Sequence, residues 1–185
     1  MFLEQRRLAR EWQGQNNIPG SPKAAAADNG LTKLLIPKIN MDAIVLEGTT
    51  RRQLLLGPGH MEQTPPPGDV GNSAITGHRD TFFRHIYELN KGDVIEIRRS
   101  GKTYQYQVTG KKVVDPEDLS VLRQSKDKRL TLITCYPIYY IGPAPDRLVV
   151  FAKMVDSQTP QEPATARKAA ASSFTAAPVQ STGTQ

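Results

Sequence analysis

The sequence is poor in cysteine and carries a single one, Cys135, in 185 residues. One thiol excludes an internal disulfide and a cysteine-rich zinc site. A lone cysteine is most often a small buried hydrophobic residue. Any chemistry at Cys135 therefore has to be argued from its neighbours in the sequence.

Long apolar runs are also missing. No stretch approaches the roughly 18 residues that a membrane-spanning helix needs, and the start of the chain lacks the pattern of a signal peptide. The sequence alone therefore predicts neither export nor a membrane anchor.

Acidic residues are outnumbered, with 18 Asp and Glu against 24 Lys and Arg, which gives a net charge of +6. A basic chain is compatible with nucleic acid, anionic lipid or an acidic cell-surface polymer as partner. However, the basic residues are scattered and are not interleaved with aromatic ones, which make up 6% of the chain. This pattern favours a solvated surface and no nucleic-acid partner.

Apolar residues are concentrated in the middle of the chain, which predicts three regions. Residues 1–30 form a basic segment with a short helix over 1–13 followed by a linker. Residues 31–156 are long enough to bury one core. Residues 157–185, rich in Ala, Ser, Thr and Pro, lack the apolar side chains that would offset ordering and are predicted to be disordered.

The middle region is predicted to consist mainly of short strands. The predicted strands include Leu34–Ile39, Leu54–Leu56, Ser73–Thr76, Asp93–Arg98, Thr103–Val108, Leu130–Thr134 and Leu148–Val155. Short helices are predicted from Phe82 to Leu89, where apolar residues recur at helical spacing, and from Asp115 to Gln124, where Asp115 can act as an N-cap. Many short strands with few helices predict an all-β barrel or sandwich.

Cys135 ends one of the strongest predicted strands. Pro137 follows it and cannot continue a central strand, so the thiol lies at a strand end beside a loop. Side-chain alternation places Ile133 and Cys135 on one face. If this strand pairs antiparallel with the strand that begins at Arg147, the thiol and the guanidinium lie at the same end of the sheet.

A thiol needs a nearby base or cation to react at neutral pH. The chain has three histidines. We predict that His60 is a turn residue after Gly59 and that His85 lies on the polar side of a short helix. His78 follows a strand and Gly77 and precedes charged residues, which makes it the best candidate for the base.

The loop between the two strands, YPIYYIGPAPD, is rich in aromatic residues and proline. One interpretation is a stiff apolar wall for an extended peptide, with Thr134, Tyr136, Ile138 and Tyr139 as candidate substrate contacts. The other interpretation is a loop that caps the barrel.

Several short motifs follow one another along residues 33–155. They are Ile36-Pro37-Lys38-Ile39, Gly57-Pro58-Gly59-His60, Pro67-Gly68, Gly71-Asn72, Thr76-Gly77-His78-Arg79, Leu89-Asn90-Lys91-Gly92-Asp93, Thr131-Leu132-Ile133-Thr134-Cys135 and Arg147. Each motif alone is weak evidence, but the whole series in this order resembles the sortases. The loop ending in Gly142-Pro143-Ala144-Pro145 is most similar to that of class D sortases.

The resemblance implies a closed β-barrel of about eight strands with one or two short helices. It implies a cysteine transpeptidase that cleaves a Leu-Pro-x-Thr-Gly-like or Leu-Pro-x-Thr-Ala-like sorting signal after Thr. In that scheme Cys135 forms a thioacyl intermediate, His78 transfers protons, and Arg147 holds substrate and stabilises the oxyanion. No cofactor is implied, and metal dependence stays open.

The resemblance also implies the partners and the location. The donor is the sorting signal of a surface protein, and the acceptor is an amine of a cell-wall precursor or of another surface protein. The expected location is the extracytoplasmic face of the cell membrane, reached through an anchor that this sequence does not contain.

Two alternatives stay open at this point. A hydrolytic cysteine peptidase of the same fold would use water in place of the amine. A non-catalytic β-barrel that binds the cell wall would tolerate loss of Cys135. The Ser-His-Gly-Cys signature of L,D-transpeptidases is absent.

Overall fold

Strands dominate the fold. The structure, a computed structural model, describes residues 2–16 and 31–155, so most of the predicted linker and the tail at 157–185 lie outside the described residues. The strands are β1 (Thr32–Ile36), β2 (Met41–Glu47), β3 (Gly59–His60), β4 (Gly71–Thr76), β5 (Val94–Arg99), β6 (Lys102–Val114), β7 (Lys128–Tyr136) and β8 (Asp146–Met154). Two α-helices, α1 (Phe2–Asn16) and α2 (Arg51–Leu56), and 3-10 helices at Pro37–Ile39, Ile86–Glu88 and Leu119–Leu122 complete the described elements.

The strands close into a barrel in the order β1-β2-β3-β4-β7-β8-β6-β5. The pairs β2–β3 and β4–β7 are parallel, and the other pairs are antiparallel. The predicted closed barrel of about eight strands is therefore confirmed. Closure leaves no strand edge for uncontrolled pairing.

The barrel interior is filled by alternate residues of each strand, because successive side chains point to opposite faces. The inward residues of β1, β5 and β7 are fully buried and include Leu34, Ile36, Ile95, Ile97, Leu130 and Leu132. Burying one such side chain is worth about 1.5–3 kcal/mol. On β7 and β8 the alternate residues point away from the barrel interior and form an outward face.

The predicted strands Asp93–Arg98 and Thr103–Val108 are confirmed as the hairpin β5–β6, in which Arg99 pairs with Lys102. Its two loop residues, Ser100 and Gly101, both have positive φ angles, of 54° and 68°. Two such residues form the type I′ turn, whose twist matches that of the flanking strands.

The prediction of a strand at Leu54–Leu56 is wrong, because these residues belong to α2. The Thr50 hydroxyl accepts a hydrogen bond from the Gln53 backbone N–H at 3.4 Å, and Gln53 Oε1 accepts one from the Thr50 N–H at 2.8 Å. This capping box starts a helix, and its Thr-x-x-Gln signature is visible in the sequence.

The two other predicted helices are shorter than expected. Turns and the 3-10 helix Ile86–Glu88 replace the helix from Phe82 to Leu89, although Phe83, Ile86 and Leu89 are fully buried as their spacing indicated. In the segment from Asp115 to Gln124, only Leu119–Leu122 is helical, and the Asp118 carboxylate caps it by accepting the Ser120 N–H at 3.0 Å.

Helix α1 confirms the short helix expected near the N-terminus and ends at Asn16. The Gln5 amide fixes it to the barrel, accepting the Ile44 N–H at 3.0 Å and donating to the Leu56 carbonyl at 2.6 Å. None of the helices in the described part of the chain has the length and apolar character to cross a membrane.

Candidate active site

Three neighbouring strands, β4, β7 and β8, expose one continuous outer face. In the register of these strands Thr76 pairs with Ile133, and Ile133 pairs with Val149. Paired residues lie on the same face of a sheet, so the row continues two residues further along β7 to Cys135. The outer face of this sheet, and not the barrel interior, therefore carries the thiol.

Cys135 and Arg147 are direct cross-strand partners on β7 and β8. The predicted antiparallel pairing of these strands is confirmed, and Cβ atoms of such partners lie about 4.5–5.5 Å apart. Both residues are half-buried, so the thiol is neither sealed in the core nor fully solvated. Arg147 Nη1 donates to the carbonyl oxygens of Ala144 at 3.3 Å and Asp146 at 2.9 Å, which holds the side chain at this strand end.

His78 lies at the same end of the sheet as Cys135 and Arg147, on the β4 side of β7. The Gly77 N–H donates to the Ile133 carbonyl at 3.1 Å, which extends the β4–β7 ladder by one step. His78 is the next residue and is half-buried. Strand β7 thus carries the thiol between the segment that bears the imidazole and the strand that bears the guanidinium.

Thr134 lies beneath the site and not on its surface. It is 1% exposed, and its hydroxyl donates to the Gly77 carbonyl at 2.7 Å. A peptide on the outer face has no access to this hydroxyl, which corrects our expectation that Thr134 contacts substrate. The bond instead fixes the segment that carries His78.

Gly77 has a steric reason to be glycine. A Cβ at this position would lie 2.8–3.1 Å from ring atoms of Phe83, which is itself fully buried. The close approach of this ring to the backbone leaves no room for a side chain between β4 and His78.

A groove of about 310 Å³ runs along the outer face and includes Arg147 in its lining. Its floor is formed by Thr76, Ile133 and Val149, and its walls by residues of α2 and of the 3-10 helix Leu119–Leu122. The sequence does not predict a role for these groove residues, although strand alternation places Ile133 on the face of Cys135.

The other two histidines lie away from the thiol. His60 is not a turn residue as predicted: it is 2% exposed in β3, with Nδ1 2.8 Å from Glu47 Oε2 and Nε2 3.2 Å from the Pro65 carbonyl oxygen. His85 is exposed, as expected, and its contact with Glu88 at 2.7 Å lowers the pKa of that carboxyl.

The aromatic loop residues predicted to contact substrate line a different cavity. Tyr136, Ile138 and Tyr139 surround a space of about 450 Å³ at the barrel mouth, together with Tyr87 and Leu148. Leu148 points into the barrel, so this cavity lies on the opposite side of the β7–β8 sheet from the groove. This placement supports the interpretation of the loop as a cap on the barrel.

Arg79, the neighbour of His78, clamps this loop. Its guanidinium donates to the carbonyl oxygens of Pro137 at 3.2 Å, Tyr140 at 2.8 Å and Gly142 at 2.8 Å. Its Cζ also lies 5.8 Å from the centre of the Tyr140 ring. The sequence alone does not reveal this role, for which the only signal is the position of Arg79 beside His78.

Metal-ligating residues do not gather at the site. Within residues 2–16 and 31–155, no three His, Cys, Asp or Glu side chains form a group that could hold a metal ion.

Comparison with known proteins agrees with this geometry. The family model described as "Sortase domain" matches residues 34–155. Sortase D of Bacillus subtilis is 36% identical over 144 residues, covering 77% of this chain and 71% of the relative. Sortase A of Listeria monocytogenes is 35% identical over 106 residues, covering 55% of this chain and 47% of the relative.

Solved structures show the same architecture. A Clostridium perfringens sortase D5 transpeptidase has a TM-score of 0.69 and 28% identity, covering 83% of this chain and 99% of that one. A Clostridium perfringens sortase C with the C-terminal cell wall sorting motif has a TM-score of 0.62 and 31% identity, covering 67% and 69%. These matches, which include sortases D, confirm the resemblance drawn from the motifs. The chain belongs to the sortase family, whose members are cysteine transpeptidases.

Proposed function

We propose that this sortase cleaves a Leu-Pro-x-Thr-Gly-like or Leu-Pro-x-Thr-Ala-like signal after Thr and transfers the acyl part to an amine. The supporting observation is the meeting of Cys135, Arg147 and the His78 segment at one level of the outer face, beside a groove. The Clostridium perfringens sortase C structure is of a protein with a cell wall sorting motif, which supports the same substrate class here.

In the first half-reaction, the thiolate of Cys135 attacks the Thr carbonyl carbon while His78 carries the proton, and the carbonyl π electrons move to oxygen. Collapse of this tetrahedral species expels the amine of the following residue, which takes a proton from His78. The products are a thioester on Cys135 and a free peptide with a new amino terminus. Splitting one difficult transfer into two easier steps is the usual benefit of a covalent nucleophile.

In the second half-reaction, the acceptor amine attacks the thioester carbon, and His78 takes the proton that the amine loses. Collapse forms an amide bond and expels the thiolate of Cys135. Histidine suits this exchange because its imidazole gives and takes one proton near neutral pH.

Arg147 stabilises the oxyanion in both half-reactions. Its guanidinium is permanently charged and offers a planar fork of donors. Two carbonyl oxygens already hold Nη1, so the charge is fixed before the reaction begins. Preorganised charge at a developing oxyanion lowers the barrier without reorganisation in the transition state.

The acceptor is an amine of a cell-wall precursor or of another surface protein. The sortase family is extracytoplasmic, and we place this chain at the outer face of the cell membrane, where donor signal and acceptor meet.

Intact-mass spectrometry of the full chain with a panel of such peptides, with and without an amine, tests the proposal. We expect an adduct with the mass of the acyl part alone, which disappears when the amine is added while an amide product accumulates. The amount of free acid formed in competition with the amine measures hydrolysis, so the same assay separates a transpeptidase from a peptidase.

Cys135→Ala is the matched control. This variant should give no adduct with any peptide and should keep its circular dichroism spectrum, because Cys135 is half-buried at a strand end and loses one small atom. An adduct on the Cys135→Ala chain would contradict the proposed nucleophile.

A further inference from the structure

The outer face that carries the groove continues past the 3-10 helix Leu119–Leu122 into a second cavity. This cavity has a volume of about 540 Å³. Its floor comes from the same strands, with Thr131 two residues before Ile133 on β7 and Phe151 two residues after Val149 on β8. Val121 lines both cavities, so the two lie end to end along one sheet face.

The second cavity is positively charged. Arg123, Arg129 and Lys153 line it, and none of its lining residues is acidic. Lys111 also lines it, although its ammonium donates to the Tyr87 carbonyl oxygen. We call this cavity the basic pocket. The groove beside Cys135 differs, because Asp115 and Asp118 are among its lining residues.

Asp127 does not line this pocket but is the carboxylate that pairs with two of its cations, and it leaves the pocket with excess positive charge. It pairs with Lys153 at 3.2 Å and with Arg129 at 3.4 Å, and these two cations, Lys153 first, lower its pKa. One carboxylate therefore pairs with two cations, and Arg123 is a third cation in the pocket, so the positive charges outnumber the negative one. The Arg129 and Lys153 side chains are 54% and 55% exposed, so both reach solvent.

The pocket has a fixed floor and wall. Asn72, 4% exposed, accepts a hydrogen bond from the Thr131 hydroxyl at 2.7 Å and donates to the Val121 carbonyl at 3.0 Å. The Gln124 side chain accepts the Asn72 N–H at 3.2 Å. These hydrogen bonds hold the connection between β6 and β7 against β4, and Arg123 is carried on that connection.

The distance from Cys135 to the basic pocket along β7 shows which residues of a bound donor peptide reach the pocket. Strands and extended peptides both rise about 3.3 Å per residue, so Thr131 lies about 13 Å and Arg129 about 20 Å from Cys135 along β7. The groove lies on the Ile133 side of Cys135 and meets the pocket at Val121. A signal that lies in this groove with its Thr at Cys135 therefore places its earlier residues, the Leu and Pro among them, towards the pocket. The three residues that precede the Leu then fall at about 13–20 Å, over the basic pocket.

We propose that the basic pocket binds acidic side chains of the donor protein in the three positions before its sorting signal. This inference rests on the proposed function, because it takes the position of the signal's Thr at Cys135 from the cleavage after Thr. The pocket makes the enzyme selective among donors that share one sorting signal.

The test compares two peptides with the same core signal, one with three Glu and one with three Gln before the Leu. We expect kcat/KM of adduct formation on the full chain to be about 3- to 10-fold higher for the Glu peptide, because each exposed ion pair contributes only a small stabilisation. The difference should shrink between low and high salt, because salt screens exposed charges.

The triple variant Arg123→Gln, Arg129→Gln, Lys153→Gln should lose the difference between the peptides. The double variant Lys91→Gln, Lys102→Gln removes exposed positive charge from two residues that do not line the basic pocket, and it should keep the difference between the peptides. Equal kcat/KM for both peptides on the wild-type chain, or a preference that survives the triple variant, would overturn the proposal. Equal kcat/KM together with binding to phosphatidylglycerol vesicles would assign the cations to a membrane surface instead.

Binding of the same two labelled peptides to the Cys135→Ala chain, followed by fluorescence anisotropy, tests the pocket apart from the chemistry. Tighter binding of the Glu peptide supports the pocket even if no adduct forms on the wild-type chain, an outcome that would contradict only the proposed function. Equal binding of the two peptides counts against the pocket alone.

Discussion

Cys135 and Arg147 face each other across β7 and β8 as a directly paired couple on the outer face of the barrel. The pairing fixes their separation through the backbone ladder of two long strands, and not through a flexible loop. A site built on such elements keeps its geometry when the loops around it move.

This relationship predicts that Arg147→Lys fails even though it conserves the charge. An ammonium is a point charge without the planar fork of a guanidinium, and losing one oxyanion donor costs about 10²- to 10³-fold in rate. We expect a loss of that size in kcat for adduct formation, measured by mass spectrometry under single-turnover conditions. Near wild-type activity in Arg147→Lys would argue against the oxyanion role.

A second prediction concerns the clamp that Arg79 places on the loop after Cys135. Arg79→Ala removes three hydrogen bonds to loop carbonyl oxygens and should release the loop. We expect kcat/KM to fall about 10-fold, since small misplacements near the chemistry are costly, while the melting temperature changes by only a few degrees.

Hydrogen exchange gives the readout that separates a clamp from a general fold defect. In Arg79→Ala, amide exchange should accelerate in residues 138–142 and stay unchanged in β5 and β6. Arg84→Ala, an exposed neighbour, is the control and should leave both regions unchanged. Wild-type exchange in the loop of Arg79→Ala would contradict the clamp.

The central part of the site could be predicted because it depends on local patterns. Two strong strands separated by one loop predict an antiparallel pair, and that pair alone brings Cys135 to Arg147. The position of His78 depends instead on the parallel pairing of β4 with β7, two strands separated by about 50 residues of sequence. Only the family motifs indicated that long-range contact.

The walls of the groove could not be predicted, since they come from α2 and the connection between β6 and β7. One signal for a covered outer face was nevertheless present. The run Leu148-Val149-Val150-Phe151 is apolar without alternation, which is typical of a strand covered on both faces. Val149 faces outward and is fully buried, because the segments that wall the groove lie over it.

A third prediction concerns Ser73, which points into the barrel from β4. Its hydroxyl is buried without a hydrogen-bond partner among the described residues, and an unsatisfied buried polar group costs about 1–3 kcal/mol. Ser73→Ala should therefore raise the free energy of unfolding by about 1 kcal/mol, measured by urea denaturation.

Thr131→Val is the matched comparison for Ser73. Its hydroxyl donates to Asn72 Oδ1 at 2.7 Å, so its removal leaves a buried acceptor unpaired and should lower the free energy of unfolding by about 1–3 kcal/mol. If Ser73→Ala destabilised the chain as much as Thr131→Val does, the Ser73 hydroxyl would have to make a hydrogen bond in the folded chain, and the prediction would be wrong.

The last prediction concerns the pH dependence of stability and rests on Tyr106. This side chain is fully buried, and its hydroxyl oxygen accepts the Gly68 N–H at 2.7 Å. Burial raises the pKa of Tyr106 to about 12, while an unfolded tyrosine titrates near 10. The folded state therefore retains this proton more strongly than the unfolded state does.

It follows that the contribution of Tyr106 to stability is complete below about pH 10 and is lost as the pH rises from about 10 to about 12. The loss is about 3 kcal/mol at most, at about 1.4 kcal/mol for each pH unit.

Tyr106→Phe should be less stable at pH 7, because the Gly68 N–H loses its acceptor, but its stability should fall less steeply above pH 10. Urea denaturation at pH 7, 9, 10 and 11 measures both effects, with Tyr140→Phe, 46% exposed, as the control that keeps the wild-type slope. Parallel slopes for wild type and Tyr106→Phe would show that the buried phenol does not carry this pH dependence.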